Sequence, residues 1–402
     1  MTLDAVVIGA GAAGIAAARA LTARGRRVAV VEARPRVGGR AWTDRSLGFA
    51  FDRGAQWLHG VDDHPLRRFA GDDCAPWSPA ERTHLGDRWA TADEEAARAA
   101  AIAAAYQTAW HAARAGRDDA LSTLLPTGRW ADSWIQWLAD DDGADPADLS
   151  AIDFERYDEP AGHAAIGGGL GALVAGLADG LDVTTACPVE RVAWGGATAR
   201  VTSARGTLEA RAVIVAVPTP ACAALRFDPP LPAWKLEAAA QLPLGARNKV
   251  ALRFDRPVWP ADQPLYVHAE GRRPHGMGLE LGMDGGHAVL AHVGATRADE
   301  LERAGADASV AAALDELVAV LGADLRRGPV GGLATGWRSE PHIGGAYSHA
   351  RPGCAGARAL LAAPLDGRLF FAGEACSLAA YGTVHGAWAS GLAAAAEVEA
   401  AR

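Results

Sequence analysis

Leu3-Asp4-Ala5-Val6-Val7-Ile8-Gly9-Ala10-Gly11-Ala12-Ala13-Gly14 opens the chain, and Arg27-Val28-Ala29-Val30-Val31-Glu32 follows, with its acid roughly 20 residues beyond the glycines. Residues 3–8 are an apolar run that reads as a buried strand. The Ala-rich segment after the glycines reads as a helix ending near Arg24-Gly25, and Arg27–Val31 as a second buried strand. A Gly-x-Gly-x-x-Gly pattern alone is weak; between a strand and a helix it marks a dinucleotide site. Gly9 permits the tight turn, Gly11 lets a pyrophosphate approach the backbone, and Gly14 lets the helix pack closely on the strand. The helix N-terminus turns its free N–H groups and dipole toward the phosphates. Glu32 accepts hydrogen bonds from the ribose hydroxyls of an adenosine; an arginine there would suit a 2′-phosphate, whereas glutamate points to FAD or NAD. The fold class is α/β, beginning with a Rossmann-like domain.

Arg34-Pro35-Arg36-Val37-Gly38-Gly39-Arg40 comes almost directly after Glu32. NAD needs no second Gly-Gly-Arg loop there. Extended FAD does, because its diphosphate and ribityl chain take further backbone donors and a cation. The ExRxRxGGR run resembles the flavin amine oxidase superfamily, which spans monoamine oxidases, polyamine oxidases, flavin-dependent histone demethylases and, more distantly, L-amino acid oxidases. Without that resemblance Arg40 reads as a surface arginine. The resemblance implies a discontinuous FAD-binding domain of the GR2 type with a second, α+β, substrate-binding domain.

The chain divides accordingly. Residues 1–60, 161–225 and 336–402 are assigned to the FAD-binding domain, and 61–160 and 226–335 to the substrate-binding domain. The 61–160 excursion reads as Trp-rich, Ala-rich and mostly helical. A helix is expected over Thr91–Ala115, with Thr91 and Glu94 as a capping box and Ile102, Tyr106, Ala109 and Trp110 at helical spacing. Asp140-Asp141-Asp142-Gly143-Ala144-Asp145-Pro146 reads as a solvated acidic loop. Farther on, a helix is expected from Leu170 and strands at 183–185 and 189–192. Residues 199–202 and 207–210 form a hairpin in this reading, and Ala212–Val217 is a separate strand stopped by Pro218. Further strands are expected at 248–254 and 287–293, and a helix over 307–321. In the resembling family, the backbone at the position of Val189 holds the FAD adenine.

Four segments carry the expected chemistry. Phe51-Asp52-Arg53-Gly54-Ala55-Gln56-Trp57-Leu58-His59-Gly60 resembles the family's segment under the flavin ring, where Gly54 and Ala55 let the backbone pass close and Gln56 and Trp57 line the site. His59, just before glycine, is similar to the polyamine oxidase histidine that lies near the substrate nitrogen; read unaided, it is a histidine packed in a turn. Leu242-Pro243-Leu244-Gly245-Ala246-Arg247-Asn248-Lys249-Val250 resembles the lead-in to the family's active-site lysine, which holds a water against flavin N5. A snorkelling surface lysine is the other reading of Lys249. In Trp337-Arg338-Ser339-Glu340-Pro341-His342-Ile343-Gly344-Gly345-Ala346-Tyr347, the family's pattern makes Trp337 a flavin-flanking residue and Tyr347 one wall of an aromatic cage. Both could equally be core aromatics. Monoamine oxidases link FAD covalently through a cysteine where Ala346 stands, so noncovalent FAD is expected.

The last segment runs from Arg368 to Gly391. Gly373 and Glu374 end a buried strand, with Glu374 on the ribityl hydroxyls. Thr383 and Val384 open a helix whose N–H groups face the flavin's O2 and N1. Thr383 replaces the second cage tyrosine of monoamine oxidases, so Tyr381 would have to supply that wall. The departure favours an extended amine over a small monoamine.

Composition excludes other classes. The formal net charge is -9, from 39 Lys and Arg against 48 Asp and Glu, which argues against nucleic acid or an anionic membrane as partner. Five scattered cysteines without a CxxC pair read as reduced thiols. No HxxxH or CxxC cluster suggests a metal, and no Gly-x-Ser-x-Gly elbow suggests a hydrolase. No signal peptide, spanning run or hydrophobic tail is expected, which points to the cytoplasm. The expected partners are a small amine and O2; the sequence does not speak to oligomeric state. Three alternatives stand beside the amine oxidase: an L-amino acid oxidase using an arginine such as Arg53 or Arg338, a desaturase or porphyrinogen-type flavoenzyme, and a non-catalytic FAD-stabilised interaction module.

Overall fold

The computed structural model describes residues 2–125, 128–158, 160–271 and 276–402. Two large sheets organise them. In the first, an eight-stranded sheet, Leu3–Ile8 lies between Val28–Val31 and Gly206–Val215, parallel to both. Val183–Thr184 extends the sheet beyond Val28–Val31, and Leu369–Phe371 pairs with the end of Gly206–Val215. Ala5, Val6 and Val7 are wholly buried, as a central parallel strand covered on both faces must be. On one face, Ala5, Val7 and Ile214 pack against Ala13, Ala17, Ala394 and Ala395. These alanines belong to the helices Ala12–Thr22 and Val384–Ala400. The two helices approach so closely that a Cβ on Gly391 would come within 2.1 Å of Ala13 O.

The expected hairpin at Thr202/Thr207 is present. Residues 207–217, however, are not two strands. Gly206–Val215 is a single strand, antiparallel to Ala199–Ser203 at its start and parallel to Leu3–Ile8 at its end. Arg211 lies in the middle of this strand and is exposed, so a polar residue inside an apolar run did not mark a break.

The second sheet has six strands in the order Pro329–Ala334, Arg247–Phe254, Ala288–Gly294, Met277–Met283, Leu265–Glu270, Ala80–Leu85. Its last strand shows that the 61–160 excursion is not all helix. The helix Ala92–Arg114 is there, with the Thr91/Glu94 capping box formed. Alternation divides the faces of this sheet. Val250, Leu252, Val289, Ala291 and Leu279 pack against Leu301, Ala313 and Leu317 of the helices Ala295–Ala304 and Ala306–Leu321. Strand register puts Lys249 opposite His292, and Glu280 opposite Tyr266, on the other face. That polar face turns toward the first sheet.

Candidate active site

Between the sheets lies a cavity of about 1390 Å³, more than a drug-sized ligand needs and enough for a dinucleotide plus substrate. Gly9, Gly11, Glu32, Arg34, Gly38, Gly39, Arg40, Val189, Gly373 and Glu374 line it together with Gly54, Ala55, Gln56, Trp57, His59, Lys249, Trp337, Tyr347, Thr383 and Val384. Gly14 is the one expected cofactor residue outside the lining. It sits behind the turn, where a Cβ would meet Gly9 O at 1.9 Å, which is the close helix–strand packing expected of it. Gly9 itself has φ +100 and a hypothetical Cβ 2.5 Å from Ala216 O.

The dinucleotide end offers donors. The helix Ala12–Thr22 has Gly11 at its N-cap and no side chain capping it, so its first-turn N–H groups face the cavity beside Gly11, Ala12 and Ala13. Glu32 accepts from the N–H groups of Ala10 (2.7 Å) and Arg34 (2.8 Å), which fixes its carboxylate at the strand end. Arg34 Nη1 is buried without a partner among the described residues. This arrangement fits an adenosine diphosphate moiety. Farther along, Arg40 Nη1 donates to Glu374 (2.9 Å) and to Ala346 O. Ser348 and the Gly382 N–H also donate to Glu374. Burial pushes the Glu374 carboxyl up, but Arg40, the nearby Arg358 and these donors outweigh it and hold the carboxyl below the usual range. A Cβ on Gly54 would collide with Arg40 O at 1.9 Å and approach the Trp337 ring at 3.0 Å.

At the other end, Lys249 is 5% exposed; it is not a snorkelling lysine. Its Nζ donates to Gln56 Oε1 at 2.5 Å and to Asp52 O at 3.3 Å, and lies 5.1 Å from the Trp57 ring. Burial pushes its ammonium down to about 8, with Asp52 and Glu280 opposing and Arg247 reinforcing the shift. His59 Nδ1 is 3.2 Å from His163 Nδ1. Burial, then the neighbouring imidazoles of His163, His385 and His64, push His59 down to about 3; it is neutral at any physiological pH. Tyr347 lines the cavity beside Gly143 and Gly382. Tyr381 does not swing free as a second cage wall. Its hydroxyl donates to Asp153 O (3.2 Å) and its ring lies on Arg358 at 3.7 Å. The Thr383 hydroxyl accepts from Gly386 N–H and donates to Ala380 O, so it caps the helix Val384–Ala400.

The reading of Asp140–Pro146 as a solvated acidic loop holds only in part: Asp141 is exposed, but the segment lies on the cavity wall. Asp140 and Asp141 end the helix Ala131–Asp141, and Asp140, Asp141 and Asp142 all line the cavity. The segment is pinned by Arg247 Nη1 to Asp140 Oδ1 (2.5 Å) and by the Ala246 N–H to Gly143 O (2.7 Å). Asp141 is exposed on the cavity wall, and the surrounding protein pushes its carboxyl up to about 6, with Asp140 adding to the shift and Arg247 opposing it. A run of three aspartates gives no local signal of this placement; only the cation at Arg247, about a hundred residues away, reveals it.

Charge pairing separates cation from anion recognition. Among the described residues, each arginine lining the cavity has a carboxylate partner: Arg34 with Glu340, Arg40 with Glu374, Arg53 with Asp44, Arg98 with Glu270 and Arg247 with Asp140. Arg338 is taken by Asp299 and by the carbonyls of Leu244 and Gly344. No group of side chains able to hold a metal ion occurs among the described residues, and no described helix is long and apolar enough to cross a membrane.

A Rossmann-type sheet carrying a long cavity, closed by a second sheet with a buried lysine, defines a flavoprotein oxidoreductase architecture. The family model for flavin containing amine oxidoreductases matches residues 12–76 and 129–399, and the chain belongs to that family. It is an FAD-dependent amine oxidase, with the flavin held noncovalently. Polyamine oxidase 3 of Oryza sativa subsp. japonica is 32% identical, the match covering 98% of this chain and 89% of that protein. Polyamine oxidase 2 of Arabidopsis thaliana is 31% identical over 97% of this chain and 86% of the relative. In fold, cyclohexylamine oxidase from Brevibacterium oxydans IH-35A superposes with a TM-score of 0.85 at 23% identity, covering 100% of both chains. A putrescine oxidase bound to putrescine gives 0.84 at 24%, covering 100% of this chain and 99% of that one.

Proposed function

We propose that this enzyme oxidises an extended di- or polyamine at the carbon next to a neutral nitrogen. The observation that carries the reading is the charge balance of the cavity: its described arginines are paired with carboxylates, whereas Asp141 stands exposed on its wall. A second ammonium of an extended amine finds an anion there, and the carboxylate of an amino acid finds, among the described residues, no cavity guanidinium without a carboxylate partner. The 32% identity to a polyamine oxidase supports the same substrate class.

FAD, when bound, would supply the hydride acceptor and hand the electrons on to O2 as hydrogen peroxide, and the imine product would hydrolyse in water. The protein's residues do the rest. Gly9, Gly11 and Gly14 shape the phosphate turn, Glu32 holds the adenosine ribose, and Val189 holds the adenine with its backbone. Arg34, Gly38, Gly39 and Arg40 serve the diphosphate and ribityl chain, and Glu374 the ribityl hydroxyls through the site that Arg40 fixes. Gly54, Ala55, Gln56, Trp57 and Trp337 bound the ring. Thr383, as the cap, would hold the Val384 N–H and its neighbours toward the flavin ring, where they would stabilise the charge that grows on reduction. Lys249 would supply a cation to the ring. Neutral His59 accepts or donates one hydrogen bond at the substrate nitrogen without repelling an ammonium, and Tyr347 walls the nitrogen with an aromatic face. Residues 61–160 and 226–335 form the substrate-binding part and the rest the FAD-binding part, in the cytoplasm.

Anaerobic addition of spermine, spermidine, N-acetylated forms, putrescine, benzylamine and L-amino acids to the FAD-loaded protein tests this. Flavin bleaching by di- or polyamines is expected. Bleaching by amino acids alone would overturn the reading.

A further inference from the structure

Behind Lys249 the second sheet buries an ionised carboxylate that the chemistry above does not use. Glu280 is 2% exposed. Its Oε2 accepts from Gln56 Nε2 (3.0 Å) and lies 3.3 Å from His292 Nε2; its Oε1 accepts from Trp77 Nε1 (2.7 Å). Gln56 and Trp77 are N–H donors and His292 can donate through Nε2, so these partners hold the group as carboxylate rather than acid. Burial alone would raise its pKa, but the bonds from His292, Trp77 and Gln56 outweigh that and keep it below the ordinary value. His292 is wholly buried, and burial pushes it down to about 4. It is therefore the neutral donor to Glu280, and its Nδ1 lone pair has no partner among the described residues. Among the described residues, no arginine or lysine touches Glu280. The cation comes one residue removed: Lys249 Nζ donates to Gln56 Oε1, and the same amide's Nε2 donates to Glu280. The amide dipole lies between the two charges in the favourable sense.

We propose that Glu280 is the counter-charge and positioning residue of Lys249, acting through the Lys249–Gln56–Glu280 bridge to aim the ammonium into the cavity and to keep it protonated when the enzyme works. A buried anion without a direct cation costs several kcal/mol unless donors and a nearby counter-charge compensate it; Lys249 and Glu280 compensate each other across Gln56. Among the described residues, the other titratable groups around Lys249 are Asp52, whose carboxylate is turned to Thr43 Oγ1 and the Leu170 and Gly171 N–H groups, Arg247, paired with Asp140, and the neutral His292 opposite it on the neighbouring strand. The assignment rests on the reading that Lys249 faces the flavin ring, but its electrostatic core does not.

That separation dictates the experiment. Lys235 and Lys249 are the only lysines in the chain, so isotopic labelling at the lysine ε-carbon yields two resonances, and Lys249→Met assigns them. The Lys249 resonance is titrated by NMR in apoprotein and FAD-loaded protein, for the parent and for Glu280→Gln. The parent midpoint is expected near 8, and E280Q is expected to lower it by at least about one unit, the effect of removing one nearby opposite charge. Glu280→Asp should restore part of the shift. An unmoved midpoint in folded E280Q would overturn the proposal. Gln56→Leu leaves both charges and cuts the bridge; it should shift the midpoint the same way, and decides the matter if E280Q does not fold. In the FAD-loaded pair, E280Q should slow reoxidation of amine-reduced flavin by O2 at pH 7.5 by about 3-fold or more, the loss of protonated lysine that a one-unit drop brings, with the anaerobic reduction step changed less than about 2-fold. If no amine reduces the flavin, the proposed function fails while the lysine titration still judges the bridge.

Discussion

Replacing Lys249 by methionine separates a residue kept for chemistry from one kept for stability. The ammonium is buried and titrates near 8 instead of the ordinary 10.5, a difference of about 2.5 units and hence about 3 kcal/mol of net cost for holding the charge in the folded chain. Below pH 8 the lysine is protonated in both folded and unfolded states and the full cost applies. Between pH 8 and 10.5 the folded chain has shed a proton that the unfolded chain retains, so stability rises with pH at about 1.4 kcal/mol per unit. Lys249→Met removes this rise. At pH 7 the gain from losing the buried charge is offset by about 1–3 kcal/mol for the orphaned Gln56 Oε1 and Asp52 O, so K249M should be between equal to the parent and about 2 kcal/mol more stable. By pH 9.5 the comparison should have moved about 2 kcal/mol in the parent's favour. Urea unfolding followed by tryptophan fluorescence at matched pH values from 7 to 9.5 measures this directly. Parallel pH curves for parent and K249M would refute the burial argument. In stopped flow, the same variant should still be bleached by amine but reoxidise at least 10-fold more slowly.

Three further outcomes follow from the geometry. Arg40→Ala strands the 4% exposed Glu374 without its cation, and FAD affinity measured by flavin fluorescence should fall at least 100-fold, with a loss of about 3 kcal/mol or more in holoprotein stability. Asp141 loses its charge as pH drops through about 6, so KM for a diamine should rise below pH 6 in the parent and stay flat over the same range in Asp141→Asn; identical profiles would remove Asp141 from substrate recognition. His59 is neutral above about 3, so His59→Asn should lower kcat/KM without altering the pH midpoints between 5 and 9, as steady-state profiles will show.

The dinucleotide turn was legible because its constraints are local. Gly9 takes a positive φ and Gly14 must lack a side chain against Gly9 O, reasons that lie within the turn itself, and apolar runs such as Leu3–Ile8 announce burial on both faces. The capping box at Thr91 is likewise a matter of four residues. Legibility failed where meaning depends on distant partners. Asp140–Asp142 looked solvated because nothing nearby in the chain opposes their charge; Arg247 does so only after the second sheet forms. Glu280 and His292 sit on strands whose alternation can be guessed, yet nothing local tells which face meets Lys249.

The sequence by itself determined the Rossmann fingerprint, the second Gly-Gly-Arg loop and so the flavin, because backbone conformation and close approach are encoded residue by residue. The tertiary structure alone decided the charge of the site. It paired the described arginines of the cavity with carboxylates, set Asp141 on the cavity wall, and joined Lys249 to Glu280 through Gln56. Ionisation in a low-dielectric interior depends on which groups lie within a few ångströms, and those neighbours come from strands and helices far apart in the chain.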